Sequence, residues 1–408
     1  MEYVIFIYLD MGYEWSCCII IDVRISSIVL YFLIIFAPVA LVLQISHSEI
    51  IVTFIFAAVA LIPLARLIGD STENLATHYG TTTASLLNVT FGNAAEIIIG
   101  IIALSAGLSN LVKASIIGSV IGNILLIFGL SLFVGGLKQK EQFFNSEHTG
   151  YQSSMLFLAI IGLAIPTILS ITVLGPGSNL VEEQRNIQFI SDILAVVLLG
   201  VYIASIIFTF VTHKHLFTIP LREGEQDKRQ KITNNNKNIY RDIKCRELYS
   251  KRDGSRWSKK KSLLLLGTSV VGVIVTSEVL VSSIEEAIKI FGFGEMFVGA
   301  IVIGIVGNAA EHSSAIMLAR RGKLDLSIGI AAGSGTQVAI FVVPTLVIAG
   351  LFLDRPFNLV FTIYELAVVF LSAIILNLIA HDGKSNWFEG VMLIAVYIMI
   401  SVGFFFIR

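Results

Sequence analysis

Cysteine is almost missing: Cys17, Cys18 and Cys245 are the three in 408 residues. They allow no disulfide framework and match no zinc-ligand spacing. Charge is scarce too, at 14% Asp, Glu, Lys and Arg against about 25% in soluble domains. Net charge is −1, so overall charge names no partner, and nothing in the chain points to nucleic acid. There is no Walker sequence, no Rossmann glycine pattern and no Ser/His/Asp arrangement. The chain therefore offers no ATP drive, no cofactor and no enzymatic centre. Residues 1–22 do not read as a cleavable signal peptide, because Asp10, Glu14 and Asp22 interrupt the apolar stretches; the segment is expected to be interfacial or poorly ordered, and not spanning.

What is abundant is apolar. The composition is 55% hydrophobic and the mean hydropathy is +0.85. Eleven apolar runs are long enough to cross about 30 Å of hydrocarbon: 26–46, 50–77, 82–104, 110–136, 152–175, 188–212, 262–290, 296–319, 325–353, 357–380 and 386–406. The runs are continuous and do not alternate with period two, which excludes a transmembrane barrel. Seven prolines and 33 glycines fit packed helices with close approaches. The expected fold is an all-α integral membrane protein whose one necessary partner is the lipid bilayer.

One pentapeptide occurs twice, as Gly92-Asn93-Ala94-Ala95-Glu96 and Gly307-Asn308-Ala309-Ala310-Glu311, each inside an apolar run. A carboxylate at membrane depth costs roughly 2.5 kcal/mol or more on insertion scales, so it is rarely there for packing. A close helix contact needs small residues, but not the same Asn and Glu twice. The repeat extends further. Gly118-Ser119 follows Gly92 at the same interval at which Gly333-Ser334 follows Gly307. Upstream, Ser71-Thr72-Glu73 and Thr276-Ser277-Glu278 match, at a different spacing that a longer turn from Lys289 to Glu295 would absorb.

Residues 222–261 hold 14 Lys and Arg against six Asp and Glu and divide the chain. Placing this loop in the cytoplasm puts Lys138, Lys140, Lys214, Arg320, Arg321, Lys323 and Lys384 there as well. Lys113, Arg185, Lys289, Arg355 and Arg408 fall outside, a strong positive-inside bias. The expected organisation is an N-terminal segment with one peripheral helix (1–49), a five-helix repeat (50–213), a basic cytoplasmic loop (214–261) and a second five-helix repeat (262–408). An odd number of spans inverts the second copy, which is how many secondary transporters build a midplane site.

The chemistry follows from the residue types. Hard divalent cations take carboxylate, amide and carbonyl oxygens. Glu96 and Glu311 supply the carboxylates. Asn93 and Asn308, three residues earlier, supply amides on the same helix face. Gly92 and Gly307 let another backbone approach, or let the helix break and offer carbonyls. Ser119 with Asn123 and Ser334 with Gln337 are facial pairs, suited to ligation or to interhelical hydrogen bonds. Glu73 and Glu278 are read as lining the approach, and His312 as a proton relay or a polar core residue. Two desolvated carboxylates carry −2; one divalent cation neutralises them, and so do two protons or two Na+. The empty charged site is the costly state to move, so the chemistry favours exchange over free flow. Glu311-His312 lacks the rest of a zinc motif.

With these residues in view, the chain resembles the Ca2+/H+ exchanger (CAX) family of the cation/Ca2+ exchanger superfamily. The resemblance covers the chain from about residue 28 and is most specific at 87–96 and at 305–312. It is also carried by 58–65, by Gly118-Ser119 with Asn123, by Gly135-Gly136, and by Gly333-Ser334 with Gln337. It implies one peripheral helix followed by two inverted five-helix repeats. It further implies export of cytosolic Ca2+ against an inward proton gradient, across a prokaryotic plasma membrane or a vacuole-type membrane. The family's central Glu residues match Glu96 and Glu311, and its paired Asn residues match Asn93 and Asn308. Three departures stand out. The loop between spans 6 and 7 is basic where many members carry an acidic helix, and Gly122 and Gly335 stand where small hydroxyls are common, which loosens the expected selectivity. A Na+/Ca2+ or Mn2+/H+ exchanger is the nearest alternative. A channel would use Glu rings around an oligomeric pore, and an intramembrane hydrolase lacks its nucleophile.

If 222–261 is a cytoplasmic tether, shortening it leaves part of the exchange intact, because loop length costs little. Transport by correctly inserted deletion variants checks this, and protease cleavage of the loop from the outer face alone would overturn the topology.

Overall fold

The computed structural model describes residues 3–7, 19–23, 31–47, 49–79, 87, 90–137, 139, 141–173, 180–213 and 257–407. Among them the chain is a bundle of eleven apolar helices. The first six are α1 (Leu33–Ile45), α2 (Ile50–Ala76), α3 (Ala94–Ser105), α4 (Ser109–Gly136), α5 (Ser146–Val173) and α6 (Leu180–Ile207, extended by a π turn at Phe208–Thr212). The other five are α7 (Lys259–Phe291), α8 (Glu295–Arg320), α9 (Leu324–Phe352), α10 (Ile363–Ala380) and α11 (Trp387–Phe406). Nine are long and apolar enough to cross a membrane, and the protein is a multi-pass membrane protein. The two shorter ones, α1 and α3, are the described parts of the expected spans 26–46 and 82–104; residues 24–30, 80–86, 88 and 89 lie outside the described residues, as does the basic loop from 214 to 256.

Helix ends are where local sequence places them. Ser258 caps α7 by accepting the Lys261 N–H, and Gly292 ends it in the left-handed region at φ 69°. Thr362 and Glu365 form a capping box on α10. Asn386 caps α11 through the N–H groups of Phe388 and Glu389. Two short strand pairs interrupt the helical pattern. β1 (Tyr3–Ile7) pairs antiparallel with β2 (Ile19–Val23), a hairpin in the segment expected to be interfacial. β3 (Gln142–Phe143) pairs with β4 (Lys384–Ser385) and ties the α4–α5 connection to the α10–α11 connection.

The spacing between the two Glu pairs is absorbed differently from the sequence expectation. The turn between α7 and α8 is short, Gly292 to Gly294. The extra residues are helical: α7 continues well past Glu278 to Phe291, whereas α2 ends at Ala76, three residues after Glu73. A helix in lipid satisfies its own backbone, so added length is accommodated more readily as helix than as loop.

Among the nine long spans, burial is greatest in α4 and α9 and least in α6 and α11. The centre of the bundle is thus α4 and α9, with α3 and α8 against them. Backbones there come unusually close. A Cβ on Gly118 of α4 would overlap the Ala300 carbonyl of α8, a Cβ on Gly304 would lie 2.9 Å from the Gly118 carbonyl carbon, and one on Gly299 would lie 2.7 Å from the Ala114 Cβ. Lipid tails are as apolar as leucine, so close packing of small residues drives this association. A π segment interrupts α4 at Gly122–Ile127 and α9 at Val338–Val342. Such bulges re-aim side chains within a helix.

Gly118→Val is expected to destabilise the protein by about 1–3 kcal/mol or more, since a rigid backbone faces the new side chain. Gly122→Ala meets open space and is expected to be neutral or to stabilise by up to about 1 kcal/mol. Thermal unfolding midpoints in detergent check the pair; equal midpoints would contradict the α4–α8 crossing.

Candidate functional site

The two copies of the pentapeptide meet, although their local backbones differ. In the first, residues 90–92 form a helical turn that stops at Asn93 (φ −97°, ψ 14°), whose carbonyl then receives the Ile97 N–H at 3.1 Å to open α3. In the second, α8 runs unbroken through Gly307, Asn308 and Glu311. Helix breaking therefore occurs beside Gly92 alone. Close approach occurs at both glycines, and each faces the carboxylate of the other copy. A Cβ on Gly92 would stand 3.6 Å from Glu311 Oε1, and one on Gly307 would stand 3.6 Å from Glu96 Cγ.

The amides cross over in the same way. Asn93 donates to Gln337 Oε1 of α9 at 2.9 Å. Asn308 donates to Ser119 Oγ of α4 at 2.9 Å and to the Gly304 carbonyl at 2.9 Å. Asn123 donates to Asn308 Oδ1 at 3.0 Å and to Ser334 Oγ at 3.2 Å. Ser334 in turn donates to Glu311 Oε2. Ser119, Asn123, Ser334 and Gln337 thus make interhelical hydrogen bonds that hold Asn93, Asn308 and Glu311. Asn93, Asn123 and Asn308 are fully buried, and Glu96 and Glu311 are half-buried. Glu96 Oε2 and Asn123 Oδ1 are buried acceptors without a donor. Orphan acceptors of this kind are costly unless a proton or a cation reaches them.

Glu96 lines a narrow crevice between α3, α4, α8 and α9. Its wall runs from Ser119, Gly307 and Val338 to Ser115, Ile303 and Leu346, toward the Ser109 end of α4, the Glu295 end of α8 and the Phe352 end of α9. Of the two glycine departures, Gly122 leaves open space, whereas Gly335 is tightly packed, with Ile124 Cγ1 at 3.2 Å and Asn123 Cβ at 3.4 Å from where its Cβ would stand.

Three expected accessory residues stand apart from this network. Glu73 and Glu278 are exposed on α2 and α7. His312 is buried, but its Nε2 has no hydrogen-bond partner, and one residue along the helix turns it about 100° from Glu311. Among the described residues, no three His, Cys, Asp or Glu converge, so the site is a pair of carboxylates set among amide and hydroxyl groups. Such a donor set suits a hard divalent cation and its competitor, the proton.

Sequence reasoning missed Arg66. It forms an ion pair with Asp70 at 3.0 Å on α2, and its guanidinium reaches Ser314 Oγ and, at 3.4 Å, the Ala310 carbonyl beside Glu311. The available signal was an opposite-charge pair one turn apart inside an apolar run.

Known proteins resemble this chain over most of its length. The sequence profile described as "Sodium/calcium exchanger protein" matches residues 49–211 and 261–406. The chain is 38% identical over 381 residues to a Ca(2+)/H(+) antiporter of Aphanothece halophytica, covering 93% of this chain and 97% of that one. It is 36% identical over 369 residues to the Ca(2+)/H(+) antiporter ChaA of Bacillus subtilis, covering 90% and 96%. The solved structure of native YfkE is similar, with a TM-score of 0.73, 33% identity, and coverage of 92% of this chain and 99% of that one.

Asn123→Ala removes the donor that serves both Asn308 and Ser334, and is expected to cost about 1–3 kcal/mol by leaving buried acceptors unsatisfied. The unfolding midpoint in detergent checks it; an unchanged midpoint would show that the amide network carries no stability.

Proposed function

The chain belongs to the sodium/calcium exchanger protein family and, within it, to the Ca2+/H+ exchangers, and from that premise we propose that it is a secondary antiporter exporting cytosolic Ca2+ in exchange for H+. The observation that supports this reading is the crossed pairing, Gly92 against Glu311 and Gly307 against Glu96. It fits two inverted five-helix repeats, 50–213 and 262–408, that share one midplane site. Glu96 and Glu311 are the carboxylates that bind Ca2+. Amide oxygens of Asn93 and Asn308 and the backbone carbonyls freed where the helix stops beside Gly92 complete the shell, while Gly307, in an unbroken helix, contributes close approach alone. The basic loop 214–261 lies in the cytoplasm.

The mechanism follows from charge. Two carboxylates in a low-dielectric interior carry −2 when empty, a state costly to move across the barrier. One Ca2+ neutralises the pair, and so do two protons. The carrier crosses by alternating access when one or the other is bound, and not when empty, which makes transport an exchange. The described crevice leads from Glu96 toward the outer ends of α4, α8 and α9, the side to which Ca2+ is released. No ATP site is needed, because the inward proton gradient supplies the drive.

Glu96→Gln and Glu311→Gln are each expected to abolish exchange while leaving the protein folded, since an amide cannot supply the charge that Ca2+ and H+ share. Proteoliposomes with an imposed pH gradient check this by 45Ca2+ uptake, and near-normal flux in either variant would sink the site assignment. Uptake driven by a Na+ gradient alone would instead mark a Na+/Ca2+ exchanger.

Because both ions need the same carboxylates, apparent Ca2+ affinity is expected to weaken as pH falls from about 9 to about 5, and Ca2+ binding is expected to release protons. The pair titrates as a unit, so neither carboxylate owns a single midpoint. Ca2+ titration in weakly buffered detergent measures both effects, and a pH-independent affinity would exclude direct competition.

A further inference from the structure

Arg66 and Asp70 lie within α2, each about three-quarters buried in the bundle, with Arg66 Nε 3.0 Å from Asp70 Oδ1. An ionised pair inside a membrane span is rare and tends to be functional. This one is anchored at both ends. Tyr31, ahead of α1, donates to Asp70 Oδ2 at 2.5 Å. Arg66 Nη1 donates to Ser314 Oγ and, at 3.4 Å, to the Ala310 carbonyl. That carbonyl also receives Ser313 Oγ at 2.8 Å and Ser314 Oγ at 3.0 Å. Three side chains therefore converge on the peptide that leads into Glu311.

The arrangement exists in one half only. In the register that relates Glu96 to Glu311, the position matching Ser314 is Ile99. The position matching Arg66 on α7 is Val281 in that register and Val271 in the register set by Glu73 and Glu278. The first half-site therefore has apolar residues where the second has a guanidinium and a hydroxyl. Glu96 keeps an unpartnered Oε2, whereas Glu311 accepts from Ser334 and adjoins the peptide carbonyl that Arg66 contacts.

We propose that Arg66 is a positioning residue for Glu311. Oriented by Asp70, it clamps α2 to α8 at Ala310 and Ser314 and sets the Glu311 carboxylate where Ca2+ needs it. The two carboxylates are then unequal partners, Glu311 preset and Glu96 free to adjust. This rests on the exchange reading above, and the effect belongs to cation affinity more than to turnover. Groups that orient a metal ligand from behind are worth about tenfold or more in affinity.

The test is Ca2+/H+ exchange by purified, monodisperse protein in proteoliposomes, with initial rates across Ca2+ concentration. Arg66→Met is expected to raise half-saturating Ca2+ about tenfold while maximal rate per folded molecule stays within about twofold. Arg66→Lys is expected to recover part of that loss. Ser314→Ala is expected to raise it by a smaller factor, and the Arg66→Met/Ser314→Ala double variant to be no worse than Arg66→Met alone, the non-additivity of residues in one contact. Val271→Ala serves as the control and is expected to match wild type. A merely structural role would lower maximal rate at unchanged half-saturation, and that result overturns the proposal. So does additivity of the two substitutions. If Arg66→Met does not fold, Ser314→Ala and Asp70→Asn decide, and wild-type half-saturation in both overturns it. Wild-type protein that fails to exchange Ca2+ for H+ removes the functional reading and this inference with it. Active wild type with unaffected variants removes only the inference.

Discussion

Two carboxylates held in a low-dielectric interior are the constraint on which the rest of the structure depends. Moving one such charge from water to the protein interior costs several kcal/mol even after relaxation, and a like charge beside it adds repulsion. The surrounding groups answer that cost in kind. Ser334 donates to Glu311, amides from both halves interlock around Asn308, and Gly92 and Gly307 remove the side chains that would stand between each backbone and the opposite carboxylate. What is left unanswered, Glu96 Oε2 above all, is an acceptor still open to a cation or a proton.

The packing of the bundle is organised to bring those groups together. α4 and α9 are its most buried spans, and α4 crosses α8 so closely that Gly118 meets the Ala300 backbone. Helices at that distance cannot slide independently, so Ser119 and Asn123 on α4 and Asn308 on α8 form one rigid unit. The outer helices are less buried. α6 and α11 turn large side chains such as Phe189, Ile203, Phe388 and Met399 outward, as spans facing lipid do.

The two halves are related, yet not equal. The first breaks its helix at Asn93, whereas the second runs continuously through Asn308. The second carries the contacts of Arg66 and Ser334 around Glu311, whereas the first leaves Glu96 facing the crevice. An exchanger built from identical halves would bind its ion symmetrically. Here one carboxylate is held by neighbours and the other opens on space, so the steps of binding and release need not follow the same path on the two sides of the membrane.

Much of this was legible in the residues. The eleven helices follow from run length, because a helix is the structure that satisfies its backbone in lipid, and Ile50–Ala76 and Trp387–Phe406 fall within a residue or so of the runs that announce them. The candidate site was legible because GNAAE recurs, and Asn123 and Gln337 were found by their spacing from it. Other features depend on neighbours distant in sequence. Nothing in 92–96 says that the helix breaks at Asn93, or that Asn93 finds Gln337 rather than a residue of its own half. Glu73 and Glu278 look equivalent in the chain, but α2 stops near one while α7 continues beyond the other. Arg66 has no counterpart to draw attention to it, and its role appears once α2 lies against α8. Apolar run length and a repeated pentapeptide are local properties, so the sequence by itself determined the spans and the carboxylates. Which donor reaches which acceptor is set by close packing between helices more than 180 residues apart, and only the tertiary structure could decide it.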